Sequence, residues 1–305
     1  MIVVKNVSKT LGNKKVVDNI SFHIAPFECA GIIGKNGAGK TTLLNMMSGI
    51  LKADCGFIRI SDCKDTLKDY ATLKKLAYVS GTRSQLWSDM KLIYSFDNCR
   101  KMYGMGKHDF TERLGMLTDI FDIKDCLHKS VHHLSLGQKA RSELVYALLP
   151  EPEILFLDEA MIGLDVSVKE RVMSVINELK ENRKTTIIYT SHNLVEVEKL
   201  CDRIILIDNG ASIYDGSLEE IMKEFAPEYS IDFDIDGAFP DMEDLPVEKY
   251  VMDNNILSIK FQKQKVETAA IIRNITDRCV IKNIKLREPN LEDTIKKIYE
   301  GKGQI

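Results

Sequence analysis

The chain has 305 residues, 44% of them apolar and 29% charged, with a formal net charge of −3. That composition suits a soluble globular protein with room for two domains, and the near-neutral balance excludes a surface built throughout to grip nucleic-acid phosphates. Seven cysteines with no Cys-x-x-Cys pair suit a reducing cytosol, the N-terminal residues do not form a secretory leader, and apolar runs such as Ile204–Ile207 fall far short of the ~20 residues a membrane-crossing helix requires.

Short β-rich segments at Ile2–Val7 and Val16–Ile24 predict strands, and Glu28–Ile33 predicts a third. Residues 34–41 then read Gly-Lys-Asn-Gly-Ala-Gly-Lys-Thr, two glycines separated by four residues and followed by Lys and a hydroxyl residue, and Thr42–Met47 predicts a helix. Between a strand and a helix, glycines let successive N–H groups converge on phosphate oxygens, the helix start adds its positive end, Lys40 reaches the terminal phosphates and Thr41 offers a magnesium ligand. Gly34, Lys35, Asn36, Gly37, Ala38, Gly39, Lys40, Thr41 and Thr42 are therefore the candidate phosphate-binding residues. The pattern fixes the ligand class but is shared by kinases, GTPases, helicases and transport ATPases.

Phe57–Ile60 and Leu76–Val79 predict two further strands, giving what reads as a mixed sheet. From Leu92 to Leu127 apolar residues recur at three- and four-residue spacings, as at Leu114, Leu117 and Phe121, which predicts a helical insertion. A second helical stretch runs from Gly137 to Leu149, with Ser135 placed to cap it and Pro150 and Pro152 ending it. Ile154–Leu157, Ser167–Lys180, Thr186–Tyr189 and Ile204–Ile207 follow the rhythm of βαβ units with a parallel sheet. Asp158 at the end of a buried strand suits magnesium, the adjacent Glu159 is free to polarise a water, and His192 follows the next strand. His132 and His133 have no Cys or carboxylate at ligand spacing, so they are not assigned a metal.

Near Ala226–Pro227 the character changes, and the acidic stretch from Asp232 to Asp244 reads as a solvated loop. Beyond it, Asn255–Phe261 and Val280–Leu286 predict strands, and Val266–Thr276 and Leu291–Tyr299 helices.

Taken together, the loop at 34–41, Leu134-Ser-Leu-Gly-Gln138 and Asp158-Glu159 resemble the ATP-binding subunit of ABC transporters over roughly residues 1–225. The resemblance implies an α/β fold: a P-loop NTPase core with an antiparallel β subdomain and a helical signature subdomain at about 90–150, plus a small C-terminal α+β domain at 226–305. It implies ATP and Mg2+ as cofactors, with Glu159 and His192 catalytic and Thr41, Asp158 and Gln85 at the metal. Ser135, Gly137, Gln138 and Asp165 would meet nucleotide across a head-to-tail dimer with a second copy or a close paralogue.

The same resemblance implies ATP hydrolysis driving a separately encoded integral membrane permease, which would hold the chain at the cytoplasmic face of the cell membrane, with no nucleic-acid partner. Arg83–Ser88 and the Glu-Pro-Asn-Leu-Glu-Asp run at 288–293 resemble exporter ATPases of the multidrug and sodium efflux kind, of the ABC-2 type. Trp87, the sole tryptophan, either docks the partner or fills the core beneath the insertion. Three positions depart from the family pattern: Leu136 replaces the first glycine of the signature, Leu11 stands where an aromatic usually stacks on adenine, and either Thr82 or Gln85 serves as the glutamine-loop residue. Those departures motivate one rival, a degenerate regulatory subunit. The other, a soluble ABC ATPase acting on ribosomes or DNA, usually carries two cassettes or a long coiled coil, whereas here there is one phosphate loop and no sustained heptads.

Overall fold

The computed structural model describes residues 1–60, 69–81, 83–182, 185–225, 228–240, 242, 249–262, 266–299 and 301. Thr82 and the dipeptide Ala226–Pro227 lie outside the described residues. Contacts divide the chain into two compact units, Met1–Ser217 and Leu218–Ile305.

In the first unit, β1 (Ile2–Leu11) and β2 (Lys14–Ile24) form an antiparallel hairpin, followed by β3 (Cys29–Gly34), α1 (Lys40–Met47), β4 (Cys55–Ile60), the single turn α2 (Tyr70–Leu73) and β5 (Leu76–Ser80). Helices α3 (Leu92–Tyr103), α4 (Lys107–Ile120) and α5 (Leu136–Leu148) make the insertion. Then β6 (Ile154–Asp158), α6 (Val166–Glu181), β7 (Thr186–Thr190), α7 (Leu194–Leu200), β8 (Arg203–Asp208) and β9 (Ala211–Ser217) complete the unit.

The expected mixed sheet is in fact two sheets. β2-β1-β4 is wholly antiparallel, whereas β3 and β5 join a six-stranded sheet in the order β5-β6-β7-β3-β8-β9, parallel except for β9 at its edge. The cause is side-chain patterning: β2 alternates buried and exposed residues over Asn19–Ile24, as a one-sided sheet requires, while Cys29–Ile33 of β3 is buried at every position, as a strand covered on both faces requires. Between the sheets lies α1, whose Leu43, Leu44 and Met47 pack with Val4, Val17, Ile20 and Phe22 on one side and Ile32, Phe156, Ile188 and Ile205 on the other. The helix that follows the phosphate loop is thus clamped in the core.

The second unit comprises α8 (Leu218–Phe225), β10 (Glu228–Asp236), β11 (Lys249–Asp253), β12 (Ile256–Gln262), α9 (Thr268–Thr276), β13 (Val280–Arg287) and α10 (Leu291–Tyr299). Its antiparallel sheet runs β11-β12-β10-β13. Here the reading of the acidic stretch as a loop is wrong for Asp232–Asp236, which lie in the inner strand β10. Ile231, Phe233 and Ile235 are buried with Leu257, Ile259, Ile271 and Ile275, while the intervening acids face the other way, Asp232 to Arg287 at 2.6 Å and Asp236 to Lys282 at 2.9 Å. A period-two pattern was present, hidden by the charge of its outward half.

Candidate nucleotide site

β3 carries Gly34 to the end of the parallel sheet, so close to β8 that a Cβ there would lie 2.4 Å from the Ile207 carbonyl oxygen. Gly39 has φ 108°, and a Cβ on it would lie 2.3 Å from the Val16 carbonyl oxygen. Only glycine fits either position. Gly39 also caps α1 without a side-chain acceptor, so the first-turn N–H groups of a buried helix are open to an anion. Lys40 bends back over the loop, donating from Nζ to the carbonyls of Gly34 at 2.8 Å and Lys35 at 3.1 Å. Burial lowers its pKa, and the charges of Glu159 and Asp158 oppose that shift. Thr41 and Thr42 follow in the first turn of α1.

β6 ends at Asp158, paired in register with Thr190 of β7 on one side and Ser80 of β5 on the other. Asp158 is buried, and two hydroxyls orient its carboxylate: Thr190 Oγ1 donates to Oδ1 at 2.7 Å and Tyr78 donates to Oδ2 at 3.0 Å. Burial, together with the charge of Asp158, pushes the Tyr78 hydroxyl up, so it stays a donor. Glu159 adopts a left-handed φ of 54°, a conformation that costs about 1–3 kcal/mol and persists only when its surroundings impose it. They do so here: its N–H donates to the carbonyl and to the hydroxyl of Thr190, both at 3.1 Å, and Gly81 packs so closely that a Cβ would lie 2.5 Å from the Glu159 carbonyl oxygen. The turn sends the Glu159 side chain to His192, whose Nε2 meets Glu159 Oε1. Lys40, Asp158, Glu159 and His192 are therefore gathered at one end of the sheet. Tyr78 and Thr190 belong with them and were missed from the sequence; the available signal was a hydroxyl within β5 and another at the end of β7, the strands flanking β6.

Ser135 caps α5 in a capping box, with Gln138 N–H donating to Ser135 Oγ at 3.2 Å and Ser135 N–H donating to Gln138 Oε1 at 3.0 Å. Leu136 is exposed, and its Cδ2 lies 2.8 Å from where a Cβ on Gly163 would stand, so the Ser135–Gln138 turn packs against the loop at 162–165. Asp165 in that loop caps α6, accepting from Val168 N–H at 2.9 Å and Ser167 Oγ at 2.8 Å, bonds that hold its carboxyl below the ordinary value. Gln85 turns its side-chain amide to the Tyr78 carbonyl, and its N–H donates to Glu143 Oε1 of α5 at 2.9 Å. Trp87 is 46% exposed, which excludes it from the core beneath the insertion. Leu11 stands half-exposed at the tip of the β1–β2 hairpin.

Comparison with known proteins points the same way. The pattern of the family described as ABC transporter matches residues 17–162. The ABC transporter ATP-binding protein NatA of Bacillus subtilis (strain 168) is 32% identical over 226 residues, covering 72% of this chain and 91% of the relative. The ABC transporter ATP-binding protein YhaQ of the same organism is 30% identical over 295 residues, 96% of each chain. Among solved structures, the dimeric post-hydrolysis state of the ATP-binding cassette MJ0796 bound to ADP and Pi superposes with a TM-score of 0.65 at 22% identity, over 72% of this chain and 99% of that one. With the similarity reaching through both units and the phosphate loop, acid pair and histidine gathered at one sheet end, this chain belongs to the ABC transporter ATP-binding proteins and is an ATPase subunit of that family.

Proposed function

We propose that the chain binds MgATP at Gly34–Thr42, closes head to tail on a second copy or close paralogue, and hydrolyses the γ-phosphate to drive an integral membrane permease in export. The supporting observation is the contact between Glu159 and His192 beside the ammonium of Lys40. Residues 1–225 form the ATP-binding domain of this reading and 226–305 an accessory domain. The permease holds the chain at the inner face of the membrane. Among the described residues no helix is long and apolar enough to cross one.

The residues fit magnesium. It takes oxygen ligands and only one or two from protein, and Asp158 is a carboxylate with both oxygens already oriented by Tyr78 and Thr190. Thr41 would supply the second ligand, and Gln85 would have to turn its amide away from the Tyr78 carbonyl to join them; the ion would neutralise charge on the phosphates. Lys40 holds the terminal phosphates. Glu159 orients the attacking water and takes its proton, and His192 fixes the Glu159 carboxylate and contacts the γ-phosphate. Ser135, Gly137, Gln138 and Asp165 of one copy complete the site of the other, so ATP stabilises the closed dimer and hydrolysis releases it.

The test is Glu159→Gln. ATP binding should persist, turnover should fall by about a hundredfold or more, and an ATP-dependent dimer should accumulate on size-exclusion chromatography. Unchanged turnover would remove Glu159 from the role of base.

A further inference from the structure

Glu196 lies on α7, four residues beyond His192, and is only 4% exposed. Four donors converge on its carboxylate. Lys169 Nζ at 2.8 Å and Asn193 Nδ2 at 3.1 Å reach Oε1, while Ser191 Oγ at 2.8 Å and the Tyr189 hydroxyl reach Oε2. Three of the four come from the stretch that carries His192: Ser191 directly before it, Asn193 directly after it, and Tyr189, the last residue but one of β7. The fourth, Lys169, comes from the first turn of α6, the helix that Asp165 caps.

Taking a carboxylate out of water costs several kcal/mol, and apolar residues of similar volume commonly stabilise a fold as well or better. A buried acid satisfied by four donors calls for a use other than stability. Its donors define that use geometrically, because Glu196 grips the residues on both sides of His192 and leaves His192 itself to Glu159. Two further bonds stiffen the same turn: Asn193 N–H donates to Ser191 Oγ at 3.0 Å, and the Asn193 side chain caps α7 through Val195 N–H at 3.1 Å.

We propose that Glu196 is a positioning residue for ATP hydrolysis: by holding Ser191 and Asn193 it fixes the backbone on either side of His192 and aims the imidazole at Glu159, and through Lys169 it ties that aim to the helix capped by Asp165. This rests on the reading of His192 given above. A histidine half-exposed at a strand end has many rotamers open to it, and a catalytic contact tolerates displacements of well under ~1 Å before the rate falls steeply. Anchors on both sides of the residue remove backbone freedom that a side-chain contact alone leaves in place.

The experiment is a double-mutant cycle on the purified full chain, with steady-state ATPase activity and nucleotide affinity measured for Glu196→Ala, Glu196→Gln, Glu196→Asp, His192→Ala and Glu196→Ala/His192→Ala. Glu196→Ala and Glu196→Gln should lower kcat about tenfold or more while ATP affinity stays within about threefold, and Glu196→Asp should recover part of the loss. In the His192→Ala background, adding Glu196→Ala should cost less than about twofold, because a residue that acts through His192 has nothing left to position. A loss that adds fully onto that of His192→Ala overturns the proposal, as does undiminished turnover in Glu196→Gln. If His192→Ala itself leaves turnover unchanged, it is the earlier assignment of His192 that fails. Should Glu196→Ala not fold, Ser191→Ala and Lys169→Met each remove one donor and carry the same cycle, with smaller losses expected and the same non-additivity required.

Discussion

Tyr78 of β5 donates its hydroxyl to Asp158 of β6 at 3.0 Å, so the carboxylate at the end of one strand is steered by a side chain from its neighbour. Tyr78→Phe removes the donor without changing the ring that stacks on Phe156. It leaves a buried carboxylate oxygen short of one partner, a loss of about 1–3 kcal/mol. Urea unfolding should show that decrease, and the magnesium concentration needed for half-maximal ATPase activity should rise.

Gly37 and Gly39 separate two kinds of glycine requirement. Both have positive φ, but a Cβ on Gly37 meets nothing within 4 Å, whereas one on Gly39 runs into the Val16 carbonyl. Gly37→Ala should cost roughly 1–2 kcal/mol from backbone conformation alone and keep measurable ATP binding. Gly39→Ala should cost more and abolish binding. Isothermal titration with ATP, alongside denaturation, distinguishes the two.

Glu143 of α5 links folding to pH. Burial raises its carboxyl above the unfolded value of 4.5, against the opposing bonds from Ser84 and Gln85. Its Oε2 has no partner among the described residues. A group whose folded pKa is raised stabilises fully below its unfolded value, and that contribution is lost as pH rises through the folded value. Stability should therefore decline from about pH 4.5 upward on account of this residue, and Glu143→Gln should flatten the decline. A pH series of urea midpoints for both proteins checks it.

Leu11 stands half-exposed at the hairpin tip where the family resemblance places an adenine-stacking aromatic. Leu11→Tyr should tighten ATP binding by about 0.5–1.5 kcal/mol, roughly two- to tenfold, with GTP gaining comparably because any purine face stacks. Competition binding with the two nucleotides measures it.

The phosphate loop, the acid pair and His192 were legible because their chemistry depends on spacing within short runs of chain. Tyr78 and Glu196 were not, because their roles depend on which strand lies beside which and on which helix covers them. Glu143 and Ser84 meet across 59 residues, a relation that no local pattern encodes. The helices of the insertion and the strands of the parallel sheet followed from apolar spacing. β10 escaped notice for a different reason: its alternation was complete, but Asp232, Asp234 and Asp236 gave it the composition of a loop. For Trp87, sequence left two environments open, and only burial decided between them.

The pairing of Asp158 with Thr190 at the last rung of β6 and β7 makes the parallel sheet a ruler for the chemistry. Glu159 and His192 leave the sheet one and two residues beyond that rung, so their excursions start a fixed interstrand spacing of about 4.8 Å apart. Lengthening the connections at the opposite end of the sheet would leave that distance untouched. Removing a single residue from within β7 would exchange its two faces and take the Thr190 hydroxyl away from Asp158, so natural variation in length should collect in the loops and avoid this pair of strands.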